Sequence, residues 1–381
     1  MTVDELDDEE VREQYAIIID RVPSYKERKA EFEDELQSVD EVVENARKEV
    51  EAGIRNARKH DNLLTSTISA FLPNGPVQQQ TGWAFRGAEP LSEYNEPNAD
   101  AIFCNPDRNL ALIVECKTSL SSPGNALTQI YDAADAVREY RDELSENIGM
   151  EIEQLETAIC VPGYLDEQLA QRIEHEEQNG DAREQVYVWR WHYLKEGERI
   201  DLFTSFDNRT RSEATHDSEL TQVLNSGVEI TKERQATPSF FPSSHTFHIM
   251  EAALSQLLKK RIRNEGPLRE FTDTELHNIL TSQRHLPHYN ANEIGTRIYD
   301  GLMDRLESDN LVTTIDQEET ELTAGDQFYR YRVRGRSVET VLKNLQEKYR
   351  TKAIDRKIEI KAMRKVIEEF DEDQSSLGDF G

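Results

Sequence analysis

The chain has 381 residues, with 45 Lys or Arg against 75 Asp or Glu and a net charge of −30. That length suffices for two or three domains and a sizeable core. Three cysteines, Cys104, Cys116 and Cys160, in no paired spacing exclude a disulfide scaffold, and no apolar run approaches membrane-spanning length. Carboxylates in this excess, with Lys far scarcer than Arg, describe the surface of a halophilic, haloarchaeal-type protein; a generally acidic cytosolic protein is the alternative. Met1-Thr2-Val3-Asp4 opens an acidic stretch instead of a signal peptide, so a cytoplasmic protein with reduced thiols is expected. An acidic balance normally argues against nucleic acid. In molar salt, where the Debye length falls to about 3 Å, local basic patches matter more than the total.

In chain order, residues 1–38 read as an acidic helical arm and residues 39–203 as one α/β domain. A long helix is predicted from about Val39 to Leu72, and a first strand around Gly82-Trp83-Ala84-Phe85. The apolar runs Ala101-Ile102-Phe103-Cys104 and Leu110-Ala111-Leu112-Ile113-Val114 read as strands, the second buried on both faces. After the turn signal Ser121-Ser122-Pro123-Gly124, Leu127, Ile130, Ala134 and Val137 keep helical spacing between Ala126 and Leu144. Further strands fit Thr157–Val161 and Val186–Trp191. Residues 204–244, rich in Ser, Thr, Asn and Pro and ending near Phe240-Phe241-Pro242, read as a linker between two separable modules. Residues 245–335 then give three helices: one with Met250, Leu254, Leu257, Leu258 and Ile262; one opened by the cap Thr272-Asp273-Thr274-Glu275; and one with Ile294, Ile298, Leu302 and Leu306 on one stripe. A hairpin follows, from Leu311–Ile315 and Phe328–Val333. Residues 336–371 read as a basic helix and 372–381 as a disordered tail.

Chemistry is concentrated where the strand 110–114 ends in Glu115-Cys116-Lys117, with Asp100 just before the neighbouring strand. Side chains alternate along a strand, so Glu115 and Lys117 share a face and Cys116 takes the other. Two carboxylates beside a lysine suit a hard divalent cation and phosphodiester hydrolysis. The acid-x-Lys spelling recurs at Glu27-Arg28-Lys29, Asp355-Arg356-Lys357 and Glu359-Ile360-Lys361, but in charged helical stretches; only residues 115–117 end an apolar strand.

Asp100, the intervening residues 101–114 and Glu115-Cys116-Lys117 resemble the PD-(D/E)xK nuclease superfamily, and the order of helix, three strands, helix and strand resembles its restriction-endonuclease-like fold. The resemblance implies a mixed central sheet flanked by helices, and a metal-dependent DNA endonuclease using Mg2+ (or Mn2+). Asp100, Glu115 and the Cys116 carbonyl would hold the metal, and Lys117 would act on the attacking water or the phosphate. Gln129 matches a glutamine that several branches carry near the site, although Ala133 stands where one branch has a tyrosine. The first-helix acid that members often add is assigned to Asp61, ahead of Glu51 and Glu44, because it precedes Leu63, Leu64 and Ile68.

Three helices and a hairpin over residues 245–335 resemble a winged helix-turn-helix domain, whose third helix commonly enters the DNA major groove. Asn292, Thr296, Arg297 and Arg305 would face DNA there, opposed by Glu293, Asp300 and Asp304 on the same helix, so a protein-contact role stays open. From Arg330 to Lys365 there are thirteen Lys or Arg and four acids, a net of +9. Arg330, Arg332, Arg334, Lys348, Arg350 and Lys352 are therefore expected on phosphates, or the helix on the chain's own acids or an acidic protein partner. Val338, Leu342, Leu345 and Tyr349 allow a short homodimer contact. His285 and His288 lack further ligands for zinc, Trp189 and Trp191 read as core or sheet aromatics, and no Gly-rich phosphate loop occurs. The alternative functions are a non-catalytic winged-helix regulator and an adaptor using the acidic arm and basic helix.

Overall fold

A computed structural model describes residues 6–94, 96–120, 122–202, 215–231, 241, 243–263, 267–281, 291–320, 322 and 327–378. Helices α1 (Asp8–Arg21), α2 (Tyr25–Gln37), α3 (Asp40–Phe71) and α4 (Pro76–Thr81) precede strands β1 (Ala84–Ala88), β2 (Ala101–Asn105) and β3 (Leu110–Cys116). Next come α5 (Pro123–Glu139), α6 (Arg141–Ile148), β4 (Gln154–Pro162), α7 (Asp166–Asn179), β5 (Val186–Tyr193), β6 (Gly197–Leu202), α8 (Ser218–Asn225) and β7 (Val228–Thr231). The chain continues through α9 (Thr246–Arg263), β8 (Glu270–Thr272), α10 (Asp273–Thr281), α11 (Ala291–Ser308), β9 (Val312–Ile315), β10 (Phe328–Tyr331) and α12 (Val338–Gly378). Among the described residues no helix is long and apolar enough to cross a membrane.

The chain divides into two compact units, 56–305 with 314–330 and 1–55 with 306–313 and 331–381. The larger contains a mixed seven-stranded sheet in the order β1-β2-β3-β4-β5-β6-β7. Its middle strands β3, β4 and β5 are parallel, and the outer pairings are antiparallel. Parallel strands must be covered on both faces, which explains the unbroken apolar run in β3. Leu110, Leu112, Val114 and Cys116 join one core with Leu63, Leu64 and Ile68 of α3, while Ala111 and Ile113 join the other with Leu127 and Ile130 of α5 and Leu169 and Ile173 of α7. Asn109 turns the chain into β3 in the left-handed conformation that asparagine tolerates (φ 53°). The helix expected over 126–144 is broken at Tyr140 into α5 and α6.

Of the stretch expected as a linker, 204–244, the structure describes residues 215–231, 241, 243 and 244. Within them α8 and β7 are built into the unit, and Leu220, Leu224, Val228, Ile230 and Phe241 lie in the same core as Trp83 and Phe103. The elements from α9 through α11 fall almost wholly in the same compact unit as the sheet. On α3, Asp61 bonds to His248 and Ser244, and Arg58 pairs with Glu251 at 2.6 Å; Arg297 of α11 donates to the Ser92 carbonyl. Ser121, Phe240, Pro242, His285 and His288 fall outside the described residues. The predicted cap at Thr272 is a reciprocal box: Glu275 N–H donates to Thr272 Oγ1, and Thr272 N–H to the Glu275 carboxylate, both at 3.2 Å. Strands β8, β10 and β9 form a three-stranded sheet in that order.

In the smaller unit, the acidic arm and the basic helix pack on each other. Val11, Tyr15 and Ile18 of α1 and Tyr25 of α2 meet Ile360, Met363, Val366 and Ile367 of α12, and Leu36 and Ala46 meet Ile358 and Ala362. The other acid-x-Lys triplets lie here on helices: Lys29 pairs with Glu359 at 2.5 Å, Lys357 with Asp8 at 3.0 Å and Lys361 with Glu49 at 3.3 Å. Much of the basic helix is thus turned to the chain's own acids. The helix also continues through Gly378, over most of the stretch expected as a disordered tail.

Candidate active site at the end of strand β3

Pairing of β2 with β3 sets Ala101 opposite Val114, so Asp100 and Glu115 leave their strands side by side. Asp100 is fixed twice through Oδ2, by the Cys116 main-chain N–H at 2.6 Å and by His60 Nε2 at 3.1 Å. Glu115 is buried, with Oε1 2.6 Å from Lys117 Nζ and Oε2 buried without a hydrogen-bond partner. Lys117 Nζ also donates to Gln129 Oε1 at 2.7 Å, which ties the strand end to α5. The Cys116 thiol points to the opposite face, beside Thr67 and Cys160, so it is the main chain of Cys116 that serves the site. Burial, and then the neighbouring Cys160, push this thiol well above its usual value. All three cysteines are free and buried.

The electrostatics follow from burial and crowding. Burial, reinforced by the Asp100 carboxylate, pushes the Glu115 carboxyl up to about 7 against the pull of Lys117. Burial works against a charged His60, but hydrogen bonds and attraction from Asp100 and Asp61 outweigh it and raise its pKa to about 10, so His60 is an imidazolium at neutral pH. Asp61 is held below its ordinary value: burial opposes ionisation, and hydrogen bonds from His248, His60 and Ser244 overcome it. The first-helix group that reaches Asp100 is therefore His60. Asp61, the residue chosen from sequence, faces His248 Nδ1 at 2.9 Å and Ser244 Oγ at 3.0 Å, and stands 4.0 Å from His60 Nδ1. Glu51 is on the solvent side of α3, 3.7 Å from Arg55. Glu44 lies 3.2 Å from Arg47. Glu89 was not singled out either; its N–H donates to the Asp100 carbonyl, and its carboxylate accepts from Ser243 N–H at 2.7 Å.

Among the described residues no cluster of three or more His, Cys, Asp and Glu forms a ready metal cage. The oxygen donors side by side here are the carboxylates of Asp100 and Glu115. That set fits Mg2+, which keeps several of its waters and takes only one or two carboxylates from a protein, and the unpartnered Glu115 Oε2 is an oxygen such an ion would satisfy.

The residues expected on DNA are distributed over both units. Asn292, Thr296 and Arg297 are exposed on α11, where Thr296 also meets His277 Nε2 at 3.1 Å, and Glu293, Asp300 and Asp304 are exposed on the same helix. Arg305 is half-buried, and Arg330 pairs with Glu270 at 2.8 Å. Arg332 donates to Thr313 Oγ1 at 3.1 Å, Lys348 to the Asn310 carbonyl, and Lys352 pairs with Asp355 at 3.2 Å. Arg334 is exposed and Arg350 half-buried.

A stability measurement checks the site's electrostatics. A carboxyl whose pKa rises on folding favours the folded state while protonated, so the Glu115 contribution is full below about 4.5 and is lost as pH rises through about 7. In chelator-containing buffer, Glu115→Gln should melt near wild type at pH 4.5 and above it at pH 8. Parallel melting curves at both pH values would remove the buried, crowded carboxyl from the account.

No family model, no curated protein and no solved structure matches this chain.

Proposed function

We propose that the protein is a metal-dependent DNA endonuclease whose site is Asp100, Glu115, Lys117 and Gln129. The observation that carries this reading is the convergence of a buried, half-unpartnered carboxylate, a second carboxylate and a lysine at the carboxyl end of a parallel strand. A divalent ion held by Asp100, Glu115 and the Cys116 carbonyl would supply a water acidic enough to attack at neutral pH. The chain's own groups do the rest. His60 and the Cys116 N–H hold the Asp100 carboxylate in place, and Gln129 holds the Lys117 ammonium where negative charge develops on the phosphate. The test is incubation of the purified protein with plasmid, linear and single-stranded DNA in high KCl, with and without Mg2+ or Mn2+. Metal-dependent strand breaks are expected; intact DNA under every condition would reject the reading.

A winged-helix regulator without catalysis is the second reading. It is favoured by the order α9-β8-α10-α11-β9-β10 with sheet order β8-β10-β9, and by Lys117 already neutralising Glu115. It predicts DNA retention with no divalent-metal affinity lost in Asp100→Asn.

A further inference from the structure

Strands β3, β4 and β5 run parallel, and in such sheets ligands approach the carboxyl ends of the strands. At that edge, directly after β4, stands Tyr164. It is 75 % exposed, the most exposed of the large apolar or aromatic side chains among the described residues. Its hydroxyl donates to the Thr118 carbonyl at 3.2 Å, one residue past Lys117. The turn that carries it is pinned by main-chain hydrogen bonds and a close approach. Gly163 N–H donates to the Trp191 carbonyl at 3.1 Å, and a Cβ on Gly163 would meet the His192 ring at 2.7 Å. Leu165 N–H closes the turn on the Pro162 carbonyl at 2.8 Å, just before α7. An aromatic ring is therefore held open to solvent with its hydroxyl on the main chain of the residue that follows Lys117.

We infer that Tyr164 is a stacking platform for an unpaired base, and that the site takes a DNA strand in single-stranded form. This rests on the nuclease reading and adds the substrate class to it. The ring of Tyr164 can be covered only by a base whose own face is free, which a base inside a duplex does not offer. The net charge of the chain does not supply the hold on a strand. A net −30 repels phosphates overall, and salt weakens the pull of local basic patches as well. Stacking on an aromatic ring does not depend on counterion release, so it is a means of holding a strand that survives these conditions. Tyr193, at the end of β5, is an internal control. It is 68 % exposed but continues the face of Trp189 and Trp191, the face opposite to that of Glu115 and Lys117.

The experiment is binding of fluorescein-labelled oligothymidylate and of a hairpin duplex to the full chain in high KCl, with Ca2+ in place of Mg2+. Tyr164→Ala should weaken oligothymidylate binding about tenfold, the loss of one base stack. Its slope of log K against log salt and its duplex affinity should not change. Tyr164→Phe, which keeps the ring, and Tyr193→Ala should bind like wild type. Wild-type affinity in Tyr164→Ala, or equal losses for single strand and duplex, would overturn the stacking role even if the wild type cleaves DNA. A wild type that binds neither probe and cuts no DNA would overturn this inference together with the nuclease reading.

Discussion

Lys117→Ala should lower metal-dependent cleavage by about 10²–10³-fold, the usual cost of removing one group that stabilises charge in a transition state. The fold should persist, as judged by circular dichroism and the melting curve. Lys117, ahead of His60, is the main group that opposes burial and Asp100 at Glu115. Without it, Glu115 is held protonated to higher pH and stays neutral in its pocket instead of becoming an unpaired buried charge. The variant should therefore recover part of its activity as pH is raised, because metal binding must then displace a more tightly held proton. Full activity in Lys117→Ala would remove the lysine, and with it the proposed chemistry, from the site.

The second large effect lies far from the chemistry. Asp217 is fully buried and accepts from Trp83 Nε1 at 2.7 Å, from Arg108 at 2.5 Å and from Asn105 Nδ2 at 3.4 Å. It also caps α8 through Glu219 N–H at 2.9 Å. One carboxylate thus ties α8 to the start of β1 and to the turn between β2 and β3. Asp217→Ala leaves a buried indole N–H and the Arg108 guanidinium without this buried carboxylate, while the Asn105 amide keeps the Thr81 carbonyl, and should cost about 3–5 kcal/mol of stability. In a unit of this size that corresponds to a fall in Tm of roughly 10 °C. Asp217→Asn, which keeps the shape and one acceptor, should fall between the two. Urea denaturation followed by tryptophan fluorescence measures this, and a midpoint unchanged in Asp217→Ala would show that residues 215–231 do not hold the sheet together.

That second result bears on why the sequence could be read in some places and not in others. Strands β2 and β3 were legible because an uninterrupted apolar run has few alternatives to a buried strand. The cap at Thr272 was legible because a capping box is a local pattern, and its reciprocal hydrogen bonds are present. The elements α8 and β7 went unread because their signals are short: Val228 and Ile230 alternate over only four residues of β7, and Leu220, Val223 and Leu224 mark a helix of about two turns. Nothing local in the sequence marks Asp217, since Trp83 and Arg108 converge on it only in the fold. The first-helix group was sought among the acids Asp61, Glu51 and Glu44, and the residue that bonds to Asp100 is the neighbouring His60. On a helix neighbours point about 100° apart, and where both are polar the pattern does not say which one meets Asp100. The pairing of the acidic arm with the basic helix was visible only as opposite charge. The shared apolar seam of Val11, Ile18, Met363 and Val366 decides it.

The central claim is that Asp100 and Glu115 together hold a divalent ion. Crystals soaked in Mn2+ and measured at the manganese absorption edge test it most directly. The account predicts one anomalous peak between the two carboxylates, at about 2.1–2.3 Å from an oxygen of each, absent in Asp100→Asn crystals. Soaked crystals without density there, or with manganese bound elsewhere and the Glu115–Lys117 pair intact, would contradict it.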